Sequence, residues 1–327
     1  MSDHDDLKHA FVYPGVGFQY IGMGVELIER YPEVEEVFAE AREVTGLDVR
    51  RLWESGPEED MSDDLKGMTA LTTYGYAYSK YLLQMGLTPS YVAGYSMGIY
   101  SALAATGALT FSDTLRCLHH SYRLMREETQ GVEGDMVGVV GLTQEEVQAL
   151  CDMVRPHGII QISNINGQRH CLVAGEKSAI DKFVPLARSE GAFEVRPLGF
   201  DLPYHSRLVL DAAREFRLWL EDIEFHRPFC PILSCIVLDD LVSPKELRQE
   251  VAYQISSCVR WYELVLGLKE RGVRHFVEVG PGKMLSKMTR GIYRGAKLYW
   301  VENLAGIEKL AEANRTRGQG GSSRVAD

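Results

Sequence analysis

The stretch SYVAGYSMGIYSALAATGAL, residues 90–109, restricts the fold more than any other part of this chain. A short apolar run ends in the pattern Gly94-Tyr95-Ser96-Met97-Gly98 and passes without a linker into an apolar segment with helical spacing. A strand that turns directly into a helix belongs to an α/β layer fold, with the turn residue at the edge of a parallel sheet. Such a turn exposes the Ser96 hydroxyl above the sheet, and the flanking glycines permit its tight geometry. It also puts the Met97 backbone N–H at a helix N-terminus, where it can receive charge developing on an attacked carbonyl oxygen. The same letters fit a plain strand-to-helix junction that carries a serine. A nucleophile needs a base, so the rest of the chain must supply one.

Strand and helix patterns recur along the chain. HAFVYPG (9–15) reads as a buried strand stopped by Pro14 and Gly15, and GMGVELIERYPEVEEVFAEAREVTG as helix up to Gly46. ALTTYGYAYSKYLLQMG is a second helical run. From Asp135 to Phe200 the order becomes βαββαβ, a ferredoxin-like unit whose hairpin turn is expected at NGQ, residues 166–168. SRLVLDAAREFRLWLEDI, CPILSCIV, WYELVLGLKERG and RHFVEVG then return to helix and strand. The expected architecture is a large α/β domain, 1–133 and 201–310, interrupted by the small domain, 134–200. The Gly-, Ser- and Arg-rich segment 311–327 lacks apolar periodicity and is expected to be disordered.

Composition excludes several functions. A chain of 327 residues with 45% hydrophobic and 25% charged residues can bury a substantial core. Its formal charge of -11 argues against general nucleic-acid binding, which needs clustered cations to displace counterions from phosphates. The six cysteines include no CxxC pair, so neither a disulfide scaffold nor a metal site is expected. The acidic start MSDHDDLKHA has no apolar core of a leader, and no segment has the length of apolar residues that a membrane span needs. A cytoplasmic location without membrane contact is the expectation.

Nine histidines compete for the role of base. His4 and His9 are terminal, His119 and His120 sit in a helical run, and His170 and His275 lie in or beside apolar strands. His205, in GFDLPYHSRLV, falls in a Pro-containing loop from which an imidazole can project into a cleft, although a surface histidine fits there too. The loop YPGVGFQ after the first strand can offer a second backbone N–H to the oxyanion, or can be a simple turn. Its spacing is not that of a dinucleotide fingerprint, so no nucleotide cofactor is expected. Lys283, Lys287, Arg290, Arg294 and Lys297 form a basic cluster late in an acidic chain. It reads as a solvated helix face, or as a docking patch for an acidic protein or a phosphate-bearing arm.

Taken together, FVYPGVGFQ, GYSMGIYSAL, LPYHS, QISSCVRW and VEVGPGKML resemble, in order, motifs of the malonyl-CoA:acyl carrier protein transacylases and the acyltransferase domains of polyketide synthases. The similarity runs from about residue 9 to 304. It implies an α/β-hydrolase-like large domain with a parallel sheet core and an inserted ferredoxin-like small domain. It implies Ser96 as acyl-accepting nucleophile, His205 as base, the backbone carbonyl of Gln254 as the group that orients His205, and the N–H groups of Met97 and Val16 as oxyanion donors. The chemistry implied is ping-pong acyl transfer with an acidic acyl carrier protein as donor or acceptor. No cofactor is bound permanently, and CoA or a phosphopantetheine arm enters as substrate.

The departures concern the acyl group. In the family, members that take malonyl units carry an arginine on the helix after the nucleophile, which pairs with the free carboxylate of the substrate. Counted without gaps, that position is Ser121, and Arg123 lies about 200° round the helix. Ile99, Val16 and Met68 stand where the family has a glutamate and two glutamines. With Tyr95 and Tyr204, Ser121, Ile99 and Met68 form the expected substrate-binding set. A site lacking its arginine should reject malonyl and accept an uncharged acyl group, aminoacyl or a bulky starter. The alternatives are an acyl carrier protein thioester hydrolase of the same fold, an ordinary malonyl transacylase, and a catalytically silent scaffold for carrier proteins.

Overall fold

The computed structural model describes residues 8–200 and 202–320. Its strands are β1 (His9–Tyr13), β2 (Tyr91–Gly94), β3 (Gly134–Val140), β4 (Ile160–Gly167), β5 (His170–Glu176), β6 (Glu194–Pro197), β7 (Ile232–Leu233), β8 (Asp240–Leu241), β9 (His275–Glu278) and β10 (Lys297–Trp300). The chain forms two compact units. One takes the residues up to Leu115, Pro228–Ile232 and those from Leu268 onward; the other takes Arg116–Arg227 and Leu233–Gly267.

In the first unit, parallel strands run in the order β10-β9-β1-β2-β7. β1 is buried along its whole length, as a strand paired on both sides and covered on both faces must be. The helical spacing through residues 22–46 predicts one helix, and two form, Val25–Arg30 and Val34–Thr45. The break lies at Pro32, whose ring disfavours helical geometry in the preceding residue; Tyr31 sits at φ -134, ψ 80. The helix Asp64–Gln84 is capped by the Asp63 side chain on Lys66 N–H, and Trp53 packs against its Tyr74 at 5.3 Å between ring centroids. No helix among the described residues is long and apolar enough to cross a membrane.

The segment expected to be disordered from residue 311 instead continues a helix, Leu304–Gly320. Leu304, Ile307, Leu310 and Ala311 bury one face of its first half. Once a helix is nucleated by packing, each further residue adds a hydrogen bond at little cost, which carries it into a polar sequence. Residues 321–327 of that segment lie outside the described residues.

The second unit holds the expected ferredoxin-like arrangement, an antiparallel sheet in the order β4-β5-β3-β6 with helices Gln144–Val154 and Lys177–Ser189 packed on it. A capping box of Thr143 and Glu146 starts the first of these helices. The hairpin turn is Gln168-Arg169 rather than residues 166–168, because irregularities in register within β4 carry the pairing on to Gly167 and His170. This unit is wider than 134–200. Ile165 N–H donates to Val259 O at 2.8 Å and Val259 N–H to Ser163 O at 2.9 Å, and Cys258 and Tyr262 pack on the small core.

Two further local features escape the sequence patterns. CPILSCIV predicts a longer strand than β7, but the Ser234 hydroxyl accepts the N–H groups of Ile236 (3.0 Å) and Val237 (2.9 Å) and folds the chain away. The helix Pro244–Gln254 starts at a capping box of Ser243 and Glu246 with proline in its first turn.

Candidate active site

In the first unit β1 and β2 lie side by side, and Tyr95 N–H prolongs their pairing by donating to Tyr13 O at 2.8 Å. Ser96 follows at φ 56, in the left-handed region that a side chain seldom occupies. The helix then closes at once, with Gly98 N–H on Tyr95 O, Ile99 N–H on Ser96 O and Tyr100 N–H on Met97 O. Two glycines make this possible. A Cβ at Gly98 would lie 2.2 Å from Tyr13 O, and one at Gly94 would lie 2.1 Å from the Ile99 nitrogen. The strand and the helix are therefore closer than any side chain allows, and the strain of the turn falls on Ser96. Ser96 is half-buried, whereas Tyr95, Met97 and Ile99 are buried.

The loop after β1 runs beside this turn, since a Cβ on Gly15 would lie 3.3 Å from Ser96 Cβ. Val16 is half-buried within the loop. Gln19 fixes it from behind: Gly17 N–H donates to Gln19 Oε1 at 2.8 Å, and Gln19 Nε2 donates to Met61 O at 3.0 Å. The Gln19 amide fills the space over Gly67, next to buried Met68 on the helix Asp64–Gln84. Gln19 stands in the quoted motif, and its letter alone does not reveal this role.

His205 belongs to the second unit and is 4% exposed. It too has a left-handed backbone, φ 58. Its ring Nδ1 lies 2.8 Å from Gln254 O and 3.1 Å from Ser257 O. Carbonyls only accept, so Nδ1 carries the proton and Nε2 carries the lone pair. Burial pushes the imidazole down to about 4, against the pull of the two carbonyls, so the ring is neutral at pH 7. Gln254 is the last residue of its helix, and the negative end of the helix dipole faces the ring edge that becomes positive when Nε2 takes a proton. Gln254 is the position that the resemblance implies; Ser257 O and Ile255 O, which accepts His205 N–H at 2.8 Å, carry no signal in their side chains.

One turn before Gln254, Glu250 is buried and accepts from Ser234 Oγ at 2.7 Å. Burial pushes its carboxyl up to about 7, while Ser234 and the Cys235 N–H pull it down.

Ser121 is buried on the helix Phe111–Glu128, and its hydroxyl donates to Leu118 O at 2.9 Å. Arg123 is exposed, 2.9 Å from Glu127 and 3.1 Å from the Nδ1 of His120. Tyr204 is buried, edge-on to Phe200. In the first unit Lys283, Lys287, Arg290 and Arg294 are all exposed on and around the helix Met284–Ile292. Lys283 Nζ sits 5.0 Å from the centroid of the Trp300 ring. That helix is capped by Glu278, a residue the sequence patterns did not single out, whose buried carboxylate accepts Leu285 N–H at 2.9 Å and Ser286 N–H at 2.8 Å.

A family model described as the acyl transferase domain matches residues 10–316. The chain is 31% identical over 302 residues to the malonyl CoA-acyl carrier protein transacylase of Bacillus subtilis (strain 168), covering 92% of this chain and 95% of that one. Among solved structures, a malonyl-transacylase in complex with a type II polyketide synthase acyl-carrier protein superposes with a TM-score of 0.90 at 31% identity, covering 94% of this chain and 99% of that one. The malonyl CoA-acyl carrier protein transacylase of Coxiella burnetii superposes with a TM-score of 0.89 at 26% identity, over 95% and 98% of the two chains. With a strained serine between strand and helix, a neutral histidine oriented by carbonyls and this match over nearly its whole length, the chain belongs to the acyl transferase domain family and is an acyltransferase.

Proposed function

We propose that this acyltransferase moves an uncharged acyl group from a thioester, through an ester on Ser96, to the phosphopantetheine thiol of an acyl carrier protein. Ser96 Oγ attacks the thioester carbonyl while His205 Nε2 takes the hydroxyl proton. The N–H groups of Met97 and Val16 receive the charge on the carbonyl oxygen, the C–S bond breaks, and the departing thiolate takes the proton from Nε2. In the second half His205 takes the proton of the incoming thiol, the sulfur attacks the ester, and Ser96 Oγ leaves with that proton. The exposed cations Lys283, Lys287, Arg290 and Arg294 serve as the docking patch for the acidic carrier.

The observation that carries the choice of acyl group is Ser121. At the position where the family resemblance puts an arginine, a buried hydroxyl is spent on Leu118 O, and Arg123 is engaged with Glu127 and His120 in solvent. A malonyl carboxylate taken into such a pocket would lose its water without gaining a guanidinium. Ile99 and Met68, both buried, stand as apolar side chains where the resemblance puts polar ones, and Tyr95 and Tyr204, also buried, are the further candidates for contact with the acyl group.

The test is mass spectrometry of the Ser96 acyl-enzyme after incubation with malonyl-CoA and with acetyl-, butyryl-, aminoacyl- and aromatic thioesters. Loading by the uncharged donors and little by malonyl-CoA is expected. Equal loading by malonyl-CoA returns the protein to malonyl transfer, the second reading, which the names of its relatives favour. Following the acyl-enzyme with and without acceptor carrier protein separates transfer from hydrolysis: decay that needs the carrier supports transfer.

A further inference from the structure

His205 holds a backbone conformation that needs outside support, and the support comes from two sides. The end of the helix Pro244–Gln254 supplies Ile255 O to the backbone N–H and the Gln254 and Ser257 carbonyls to the ring. From the other side β4 reaches over with one side chain. Gln161 Nε2 donates to His205 O at 3.1 Å, and Gln161 Oε1 accepts Arg207 N–H at 3.1 Å. These are the peptide groups on either side of Ser206, and a side-chain amide can serve a carbonyl and an N–H together because it carries both a donor and an acceptor. Ser206 adds a bond of its own, from Oγ to Pro203 O at 2.6 Å.

The same strand is tied to the segment that orients the ring. Ile165 N–H donates to Val259 O and Val259 N–H to Ser163 O, two residues beyond Ser257. The hydrogen bonds therefore close a circuit from β4 through Gln161 to His205, on through its ring to Ser257, and back through Val259 to β4. The histidine backbone and the carbonyls that aim its ring are both referenced to one strand.

We propose that Gln161 is a positioning residue for acyl transfer, holding the His205 peptide so that Nε2 stays where it takes the serine proton. This rests on the reading of His205 as base. Without the amide the turn can relax away from its left-handed geometry, and the ring swings about its own Cα. A displacement of about 1 Å in a reacting group costs about 100-fold in rate.

The test uses the whole chain and p-nitrophenyl butyrate, which acylates a reactive serine without needing the natural acyl donor. Gln161→Leu keeps the bulk of the side chain and removes both bonds. Its acylation rate should fall about 100-fold with KM within about twofold of the parent, the split expected for lost positioning. Gln161→Glu keeps the acceptor for Arg207 but, once ionised, turns a second acceptor toward His205 O. It should be slow at pH 8 and recover as the pH falls and its carboxyl regains a proton, a limb opposite in sign to that of the base itself. A role confined to stability moves the melting temperature and leaves the shape of the pH profile unchanged. If Gln161→Leu folds poorly, the Glu variant carries the test alone. Rates within about threefold of the parent for Leu, with a parallel pH profile for Glu, would overturn the proposal if His205→Ala abolishes the burst. A full burst from His205→Ala overturns the reading of the base as well.

Discussion

Protonating His205 is the perturbation that tests the site most directly. Its ring is buried, its proton is held on Nδ1 by two carbonyls, and its midpoint is pushed down to about 4. At pH 5.5 such a group is about 97% neutral, whereas an ordinary histidine with a midpoint near 6.5 is about 9% neutral. The acylation rate should therefore be nearly the same at pH 5.5 as at pH 7.5, where an ordinary histidine would give a loss of about tenfold. Stopped-flow release of p-nitrophenol, read at a wavelength insensitive to its own ionisation, measures this between pH 4 and 8. Folding stability carries the same signature. Because the folded midpoint lies below the unfolded one, the stability tied to the neutral ring is complete above pH 6.5. It is lost as the pH falls from there through 4, by up to about 3 kcal/mol. A rate profile with its midpoint at 6.5 or higher would refute the argument, since it would mean that the ring is solvated or faces an anion.

Three further outcomes are expected. Gly98→Ala forces a Cβ to within 2.2 Å of Tyr13 O, so it should cost about 3 kcal/mol in urea unfolding and abolish labelling of Ser96 by a fluorophosphonate. Glu250, raised to about 7, binds its proton more tightly in the folded protein than in the unfolded one, so its contribution is present below pH 4.5 and lost as the pH rises through 7. Glu250→Gln should therefore raise the melting temperature at pH 8 and change it little at pH 4.5; equal shifts at both would contradict the assignment. Ser121→Arg should improve loading by malonyl-CoA over butyryl-CoA at least about tenfold, the worth of a charge-assisted hydrogen bond, with no gain counting against Ser121 as the determinant.

Much of this was legible in the letters. Glycine at 94 and 98 around Ser96 announces a strand and helix packed backbone to backbone, and the βαββαβ alternation identifies the small sheet. The capping box at Ser243 and Glu246 is equally visible in the letters. What stayed hidden is of another kind. Backbone carbonyls such as Ile255 O and Ser257 O have no letter, since any residue supplies one. Gln161 and Gln19 look like ordinary polar positions, because their roles depend on peptide groups far away in the chain. The shortness of β7 follows from one hydroxyl, on Ser234, in a run whose apolar composition favours a strand.

The bonds between β4 and Val259 bear on how this protein can be recombined with its relatives. Sequence boundaries suggest exchanging the segment 134–200 as a cassette. Such a chimera would bring a foreign strand to Val259 and a foreign residue 161 to a native histidine turn, two mismatches at the parts that hold the proposed base. A graft that carries residues 116–227 together with 233–267 keeps every one of those bonds within a single donor. Crossovers that respect this grouping should yield active hybrids, and those at the apparent edges of the small domain should yield folded proteins with a misdirected histidine.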